Sequence, residues 1–257
     1  MVFNRSRLFY NSSQLNKATG NFNLNITAEQ LIYQFGDVIA IVFPIFYQLP
    51  HKFKLNFCHR VLKFLKQYAF LAKEGAHLNN ASKVAIAAIY VKLTLGYSKY
   101  LINTFDKIII YPTAKYFPNL NETHTGHFNP KLKVIMLALD EFENDINCNN
   151  NGKDLALHEF THALCFEMIQ GKANHPNVSE FRKGFRLINE WVQMQENREL
   201  MIKFDFLRTY AFTNKLEMIS VLVELFFKKE TVFKNQFPDL FMYVGNMIKH
   251  PKTKEAR

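Results

Sequence analysis

At 257 residues, with 48% hydrophobic and 15% aromatic content, the chain can bury a sizeable core and forms one large domain or a domain with an extension. The formal charge of +10 admits anionic partners, but the Lys and Arg are scattered. The only dense basic run is the tail from Lys249 to Arg257, with no aromatic-basic motif beside it, so nucleic-acid binding is not expected. Cys58, Cys148 and Cys165 are odd in number and form no CxxC pair, which excludes a disulfide framework and a cysteine-rich zinc site and favours a reducing compartment.

Residues 1–26 are polar and Asn-rich, with no apolar run of secretory length, so the expected location is the cytoplasm. Thr27-Ala-Glu-Gln30 has the form of a capping box and predicts a helix running towards Pro44. The apolar stretch from Leu31 to Leu49 is interrupted by Gly36, Asp37 and Pro44. Its uncharged part is about a dozen residues where a membrane span needs about twenty. It reads as a buried helix, and membrane association is not expected. Phe53, Phe57, Val61, Phe64 and Leu65 recur at helical spacing, and Ala81 to Tyr90 is a second apolar helical run. The 26 Phe against 1 Trp read as a core-filling habit.

The texture then changes. The β-branched run Lys107-Ile-Ile-Ile-Tyr111, closed by Pro112, predicts a strand. Residues 113–130 read as a loop, in which His124 and His127 are solvated, and residues 131–139 as a second strand. That second strand is a candidate edge for binding an extended peptide by strand addition. Residues 145–152 read as a turn-rich loop, 154–168 as a helix, and 179–203 as one long amphipathic helix capped by Ser179. Helices also follow at 216–227 and after Pro238. The expected fold class is α+β, helix-dominated, with a small sheet. The expected division is a polar extension and one helix over 1–42, a main domain over 43–248 and a basic tail over 249–257.

The chemistry-bearing motif is His158-Glu159-Phe160-Thr161-His162. Residues at i and i+4 of a helix share one face, so both imidazoles can reach a single ion. The intervening Glu159 stands beside the open position of a catalytic zinc, where it can take a proton from water. A chain of this composition produces HExxH by chance only about 0.02 times, so the match is specific. Catalytic zinc needs a third protein ligand. Cys165 and Met168 follow the motif, which excludes the metzincin pattern. The remaining candidates are Glu167, Glu180, Glu190, Glu196, Glu199, Glu217 and Glu224. Glu167 points off the metal face, and Glu190, Glu196 and Glu199 sit among charged neighbours. Glu217 and Glu224 lie in an apolar helix, where an unpaired carboxylate is costly. They are seven residues apart and share a face, so one can be the ligand and the other an outer group.

Tyr210-Ala-Phe-Thr213, Glu217, the run Val221 to Phe227 and Phe237-Pro-Asp-Leu240 resemble the Mlc titration factor A family of zinc peptidases. That family is itself similar to the catalytic domain of anthrax lethal factor. Residues 49–65, Ile86-Ala-Ala and Ile108 to Pro112 carry a weaker likeness, and the resemblance covers residues 43–245. It implies a gluzincin-like hydrolase with His158, His162 and Glu217 as zinc ligands, Glu159 as general base, Tyr210 as hydroxyl donor near the metal and Glu224 in an outer role. It also implies a peptide or protein substrate, aminopeptidase action and a transcriptional regulator as partner. Two positions depart from the family pattern and bear on substrate preference. Cys165 stands where an Asp is common, and Ala138-Leu139-Asp140 replaces a Trp-containing segment. The alternative function is a zinc-stabilised regulatory module that sequesters a transcription factor with weak or no turnover. The intact Glu159 argues against it, since a structural site needs no base.

Overall fold

The computed structural model describes residues 25–117, 122–147, 152–170, 175–204, 206–207 and 214–251. The chain falls into two compact units, Met1–Lys92 with Phe105–Cys148, and Leu93–Thr104 with Asn149–Arg257.

Among the described residues, the first unit holds four helices, a four-stranded sheet and a two-stranded ribbon. The Thr27 side chain accepts from Gln30 N and the Gln30 side chain accepts from Thr27 N, so the capping box starts α1 (Ala28–Val42) as the sequence requires. The chain turns back through Phe46–Gln48 into α2 (His51–Gln67), whose Phe57, Val61, Phe64 and Leu65 are buried. α3 (Asn80–Leu93) is buried along most of its length, as its Ala-rich sequence predicts. Aromatic rings fill the space between these elements. Phe43 stacks on Phe57 at 5.1 Å, Phe64 lies 4.7 Å from Tyr90, and Tyr68 stacks on Phe105 at 4.3 Å.

The sheet comprises β1 (Ala69–Ala72), β2 (Lys107–Tyr111), β5 (Gly126–Asn129) and β6 (Val134–Ala138), in the order β1-β2-β6-β5. β1 and β6 run parallel to β2, with Ile108 opposite Phe70 and Ile135, and β5 is antiparallel to β6. The predicted edge role of residues 131–139 is therefore corrected. All five β6 residues are buried, and the strand lies between β2 and β5. A continuous apolar run without alternation belongs to a strand covered on both faces. The sheet's edges are β1 and β5. The predicted loop at 113–130 also holds a two-stranded ribbon, β3 (Lys115–Phe117) with β4 (Glu122–His124). Its strands are too short for periodicity to register. α4 (Leu139–Asn147) closes the unit and takes in the start of the predicted 145–152 turn.

The second unit is helical. α5 (Leu155–Cys165) continues as a π-helical turn over Phe166–Gln170. The predicted helix over 179–203 is two helices, α6 (Val178–Gln193) and α7 (Gln195–Lys203), hinged at the extended Met194. No breaker residue marks the hinge. The Trp191 carbonyl accepts from Met194 N at 3.4 Å and from the Asn197 side chain at 2.9 Å across the break. α8 (Lys215–Lys228), α9 (Glu230–Gln236) and α10 (Pro238–Met247) follow. Gly184 lets α6 approach α10: a Cβ there would stand 2.6 Å from Met247 Cβ. Phe226 stacks on Phe241 at 4.5 Å, and Phe206 lies 4.6 Å from Phe237. The fold class is thus α+β, helix-dominated, with a small mixed sheet.

Candidate metal centre

The site lies within the second unit, where α5 packs against α8. Asp154 caps α5, its side chain accepting from Leu157 N at 3.1 Å. Ala156, Leu157, Phe160 and Leu164 are buried, which fixes the rotation of the helix. His158 and His162 then share one face one turn apart. Asn214 caps α8, its side chain accepting from Leu216 N at 2.8 Å and Glu217 N at 2.9 Å. That cap sets Glu217 in the first turn of α8.

Three electron-pair donors converge. His158 Nε2 lies 3.0 Å from His162 Nε2 and 3.1 Å from Glu217 Oε2, and His162 Nε2 lies 3.2 Å from Glu217 Oε1. His158 Nδ1 is engaged with Glu224 Oε1 at 2.7 Å. With its proton on Nδ1, the neutral His158 ring presents a lone pair from Nε2 to the cluster. Two imidazole nitrogens and a carboxylate so placed repel one another unless a proton or a cation sits among them. Ligands at about 2.0–2.1 Å on a tetrahedron stand about 3.3 Å apart, close to the spacings here. The donor set therefore fits a divalent transition metal, and these three residues are the one group among the described residues that could hold a metal ion.

Exposure distinguishes the four side chains. The side chains of His158, His162 and Glu217 keep 16%, 14% and 12% of their surface, so the cluster has an opening, whereas Glu224 keeps 2%. Glu224 stands behind His158 and also accepts from Asp154 N at 2.9 Å, joining α8 to the first turn of α5. Glu159 is buried on the motif helix. Tyr210 lies outside the described residues. Of the other glutamates, Glu180 pairs with Lys249, Glu190 with Arg186, and Glu199 accepts from Gln195. Glu196 is exposed, and Glu167 is not in the cluster. The sequence reading passed over the Asp154 N–H as a brace for Glu224 and Asn214 as the cap that positions Glu217. The latter had a signal, since Asn214-x-x-Glu217 has the spacing of a helix start.

The charges respond to this geometry. Burial alone would lower the His158 imidazole, but hydrogen bonds to Glu217 and Glu224 and the charges of Glu224 and Glu159 raise it to about 10. Burial would raise the Glu217 carboxyl, but hydrogen bonds from His158 and His162 and their charges hold it well below the usual carboxylate range. In metal-free protein the raised His158 contributes stability that is full below its ordinary 6.5 and fades as pH rises through about 10. The depressed Glu217 contributes above its ordinary 4.5 and is lost in acid. The metal-free melting temperature should therefore be highest between these two ordinary values and fall towards alkaline pH. Metal-loaded protein should lack the alkaline fall, because the ion replaces the proton. Equal metal-free melting temperatures at both ends of that alkaline range would contradict the arrangement of charges.

Burial pushes the thiols of Cys58 and Cys165 up to about 12, so neither is a nucleophile at neutral pH. His124 and His127, with rings 5.4 Å apart in the first unit, are not in the metal-capable cluster. No described helix is long and apolar enough to cross a membrane.

No curated protein matches the chain. The family described as Glucose-regulated metallo-peptidase M90 matches residues 23–247, most of the chain and the same family that the Tyr210 to Leu240 motifs resemble. A metallopeptidase needs a metal ion and a peptide or protein substrate, and the chain belongs to this metallopeptidase family.

Proposed function

We propose that the protein is a zinc-dependent peptidase of the HExxH…E type that cleaves peptide bonds in the cytoplasm. The observation that carries this is the convergence of His158 Nε2, His162 Nε2 and Glu217 within 3.0–3.2 Å of one another, at the opening of an otherwise buried helix pair. These three residues would hold the ion. When bound, zinc supplies Lewis acidity, which polarises a peptide carbonyl and makes water acidic enough to lose a proton near neutral pH. Glu159 takes that proton and delivers it to the departing amine. Tyr210 donates its hydroxyl to the oxygen that gains negative charge as the carbonyl carbon becomes tetrahedral. Glu224 accepts from His158 Nδ1, which keeps the ring in one tautomer and one orientation.

Aminopeptidase action is the finer proposal and rests on the family resemblance. Turnover of a mixed peptide library with free amino termini, before and after chelation, tests the proposal. Hydrolysis should stop with chelator and return with zinc. Amino-terminal acetylation of the same peptides should suppress it. Hydrolysis that survives chelation would overturn the zinc mechanism, and equal cleavage of acetylated peptides would overturn the aminopeptidase proposal.

A further inference from the structure

We propose that the outer face of α2, together with the exposed aromatic side chains beside it, is a docking surface for an anionic lipid bilayer. Residues 108–257 carry 19 Lys and Arg against 18 Asp and Glu, so nearly all of the +10 belongs to residues 1–107, with 13 against 4. The impression of scattered charge given by the sequence dissolves once the helix is formed. Lys52, Asn56, His59, Lys63 and Lys66 of α2 are all exposed, and their spacing of three or four residues places them in one stripe. At the rise of an α-helix the stripe is about 21 Å long. α2 contains no Asp or Glu. Among the described residues no acidic side chain pairs with Lys52, Lys63 or Lys66. Of the two carboxylates of α1, Glu29 is taken up by His51 at the very start of α2, at 2.9 Å, and Asp37 accepts from the Tyr47 hydroxyl at 2.6 Å, so neither is paired with the lysines of the stripe.

Charge alone would suit any polyanion, and the apolar residues decide between them. Phe53 flanks the lysine stripe and is 62% exposed, and Tyr33 on α1 is 92% exposed. Tyr33 lies one turn from both Glu29 and Asp37, the residues that reach His51 and Tyr47, so it stands beside the start of α2. α1 has no Lys or Arg, and its Ile32, Phe35 and Ile41 are half-buried. Such a surface offers a nucleic-acid backbone nothing to neutralise it. A bilayer uses both parts, anionic headgroups against the lysines and the acyl boundary against the aromatic and aliphatic side chains. α1 has 15 residues, too few to span, so attachment is peripheral and reversible.

The test is sedimentation of the full-length, zinc-loaded protein with vesicles of phosphatidylcholine alone or of phosphatidylcholine with phosphatidylglycerol. The protein should sediment with the anionic vesicles only, and less as salt rises. Each lysine near the surface is worth about fivefold in partitioning. The triple variant Lys52→Gln, Lys63→Gln, Lys66→Gln should therefore bind about 100-fold more weakly. Phe53→Ser should weaken binding at any salt concentration. Both variants replace exposed side chains, so melting temperature should be unchanged, and each lysine changed alone provides a milder check. Equal sedimentation with both vesicle types, sedimentation with neither, or full binding by the triple variant would overturn the proposal. So would binding of a single-stranded DNA oligonucleotide through these lysines by protein that ignores the vesicles.

Discussion

Glu159→Gln should retain its metal and lose turnover, with kcat lower by about 10²- to 10⁴-fold. The substitution keeps the shape of a buried side chain on α5 and removes its basicity. Glu159 is outside the set of converging donors, so metal content should stay at that of the unsubstituted protein. The charge of Glu159 is among the causes that raise His158. A modest change in the metal-free melting temperature is therefore expected alongside the kinetic loss. Metal content and peptide turnover, measured on one preparation, check the result. Near-normal hydrolysis by Glu159→Gln would remove the general base from the mechanism, and loss of metal would make Glu159 a ligand instead.

The second large effect separates the two carboxylates of α8. Glu217→Ala takes one of three donors from the ion, so metal affinity should fall by more than the about 10- to 100-fold that loss of an outer partner costs. The metal-dependent part of the melting temperature should fall with it. Glu224→Ala should act in the other order. It leaves His158 Nδ1 and the Asp154 N–H without their carboxylate partner behind the site. A buried polar group so stranded costs about 1–3 kcal/mol. The variant should therefore be less stable even without metal, with affinity down by only about 10- to 100-fold. Metal titration and thermal melting of both variants, with and without zinc, distinguish these patterns. If Glu224→Ala loses the ion and Glu217→Ala keeps it, the two glutamates exchange roles.

Much of this site is legible in the sequence because helical spacing is a rigid ruler. His158 and His162 at i and i+4, and Glu217 and Glu224 at i and i+7, fix which side chains share a face before any tertiary contact is known. The cost of a carboxylate among Met218, Ile219, Val221 and Leu222 marks both glutamates as engaged. What spacing cannot give is which carboxylate faces the ion. That depends on where α8 begins: in the structure Glu217, in the turn capped by Asn214, lies beside the Nε2 atoms of His158 and His162.

The sheet was harder to read. The apolar run of β6 marks a strand covered on both faces but not its place in the strand order, and only its pairing with both β2 and β5 assigns it to the interior of the sheet. β1, with the sequence Ala-Phe-Leu-Ala, is too short for alternation to appear, and the parallel pairing with β2 that makes it a strand is non-local. The hinge at Met194 likewise carries no Gly or Pro, so the 179–203 region reads as a single helix. The basic stripe of α2 was missed for a related reason. Its lysines are separated in sequence by buried Phe57, Val61, Phe64 and Leu65, and they gather only on the helix surface.

The most direct measurement is an anomalous difference map at the zinc edge from crystals of the zinc-loaded protein. The account predicts one strong peak, about 2.0–2.1 Å from both His158 Nε2 and His162 Nε2 and about 2.0–2.2 Å from a Glu217 carboxylate oxygen, with Glu224 still on His158 Nδ1. A map with no peak between these residues, or with a peak ligated by other side chains while His158 and His162 point apart, would contradict it.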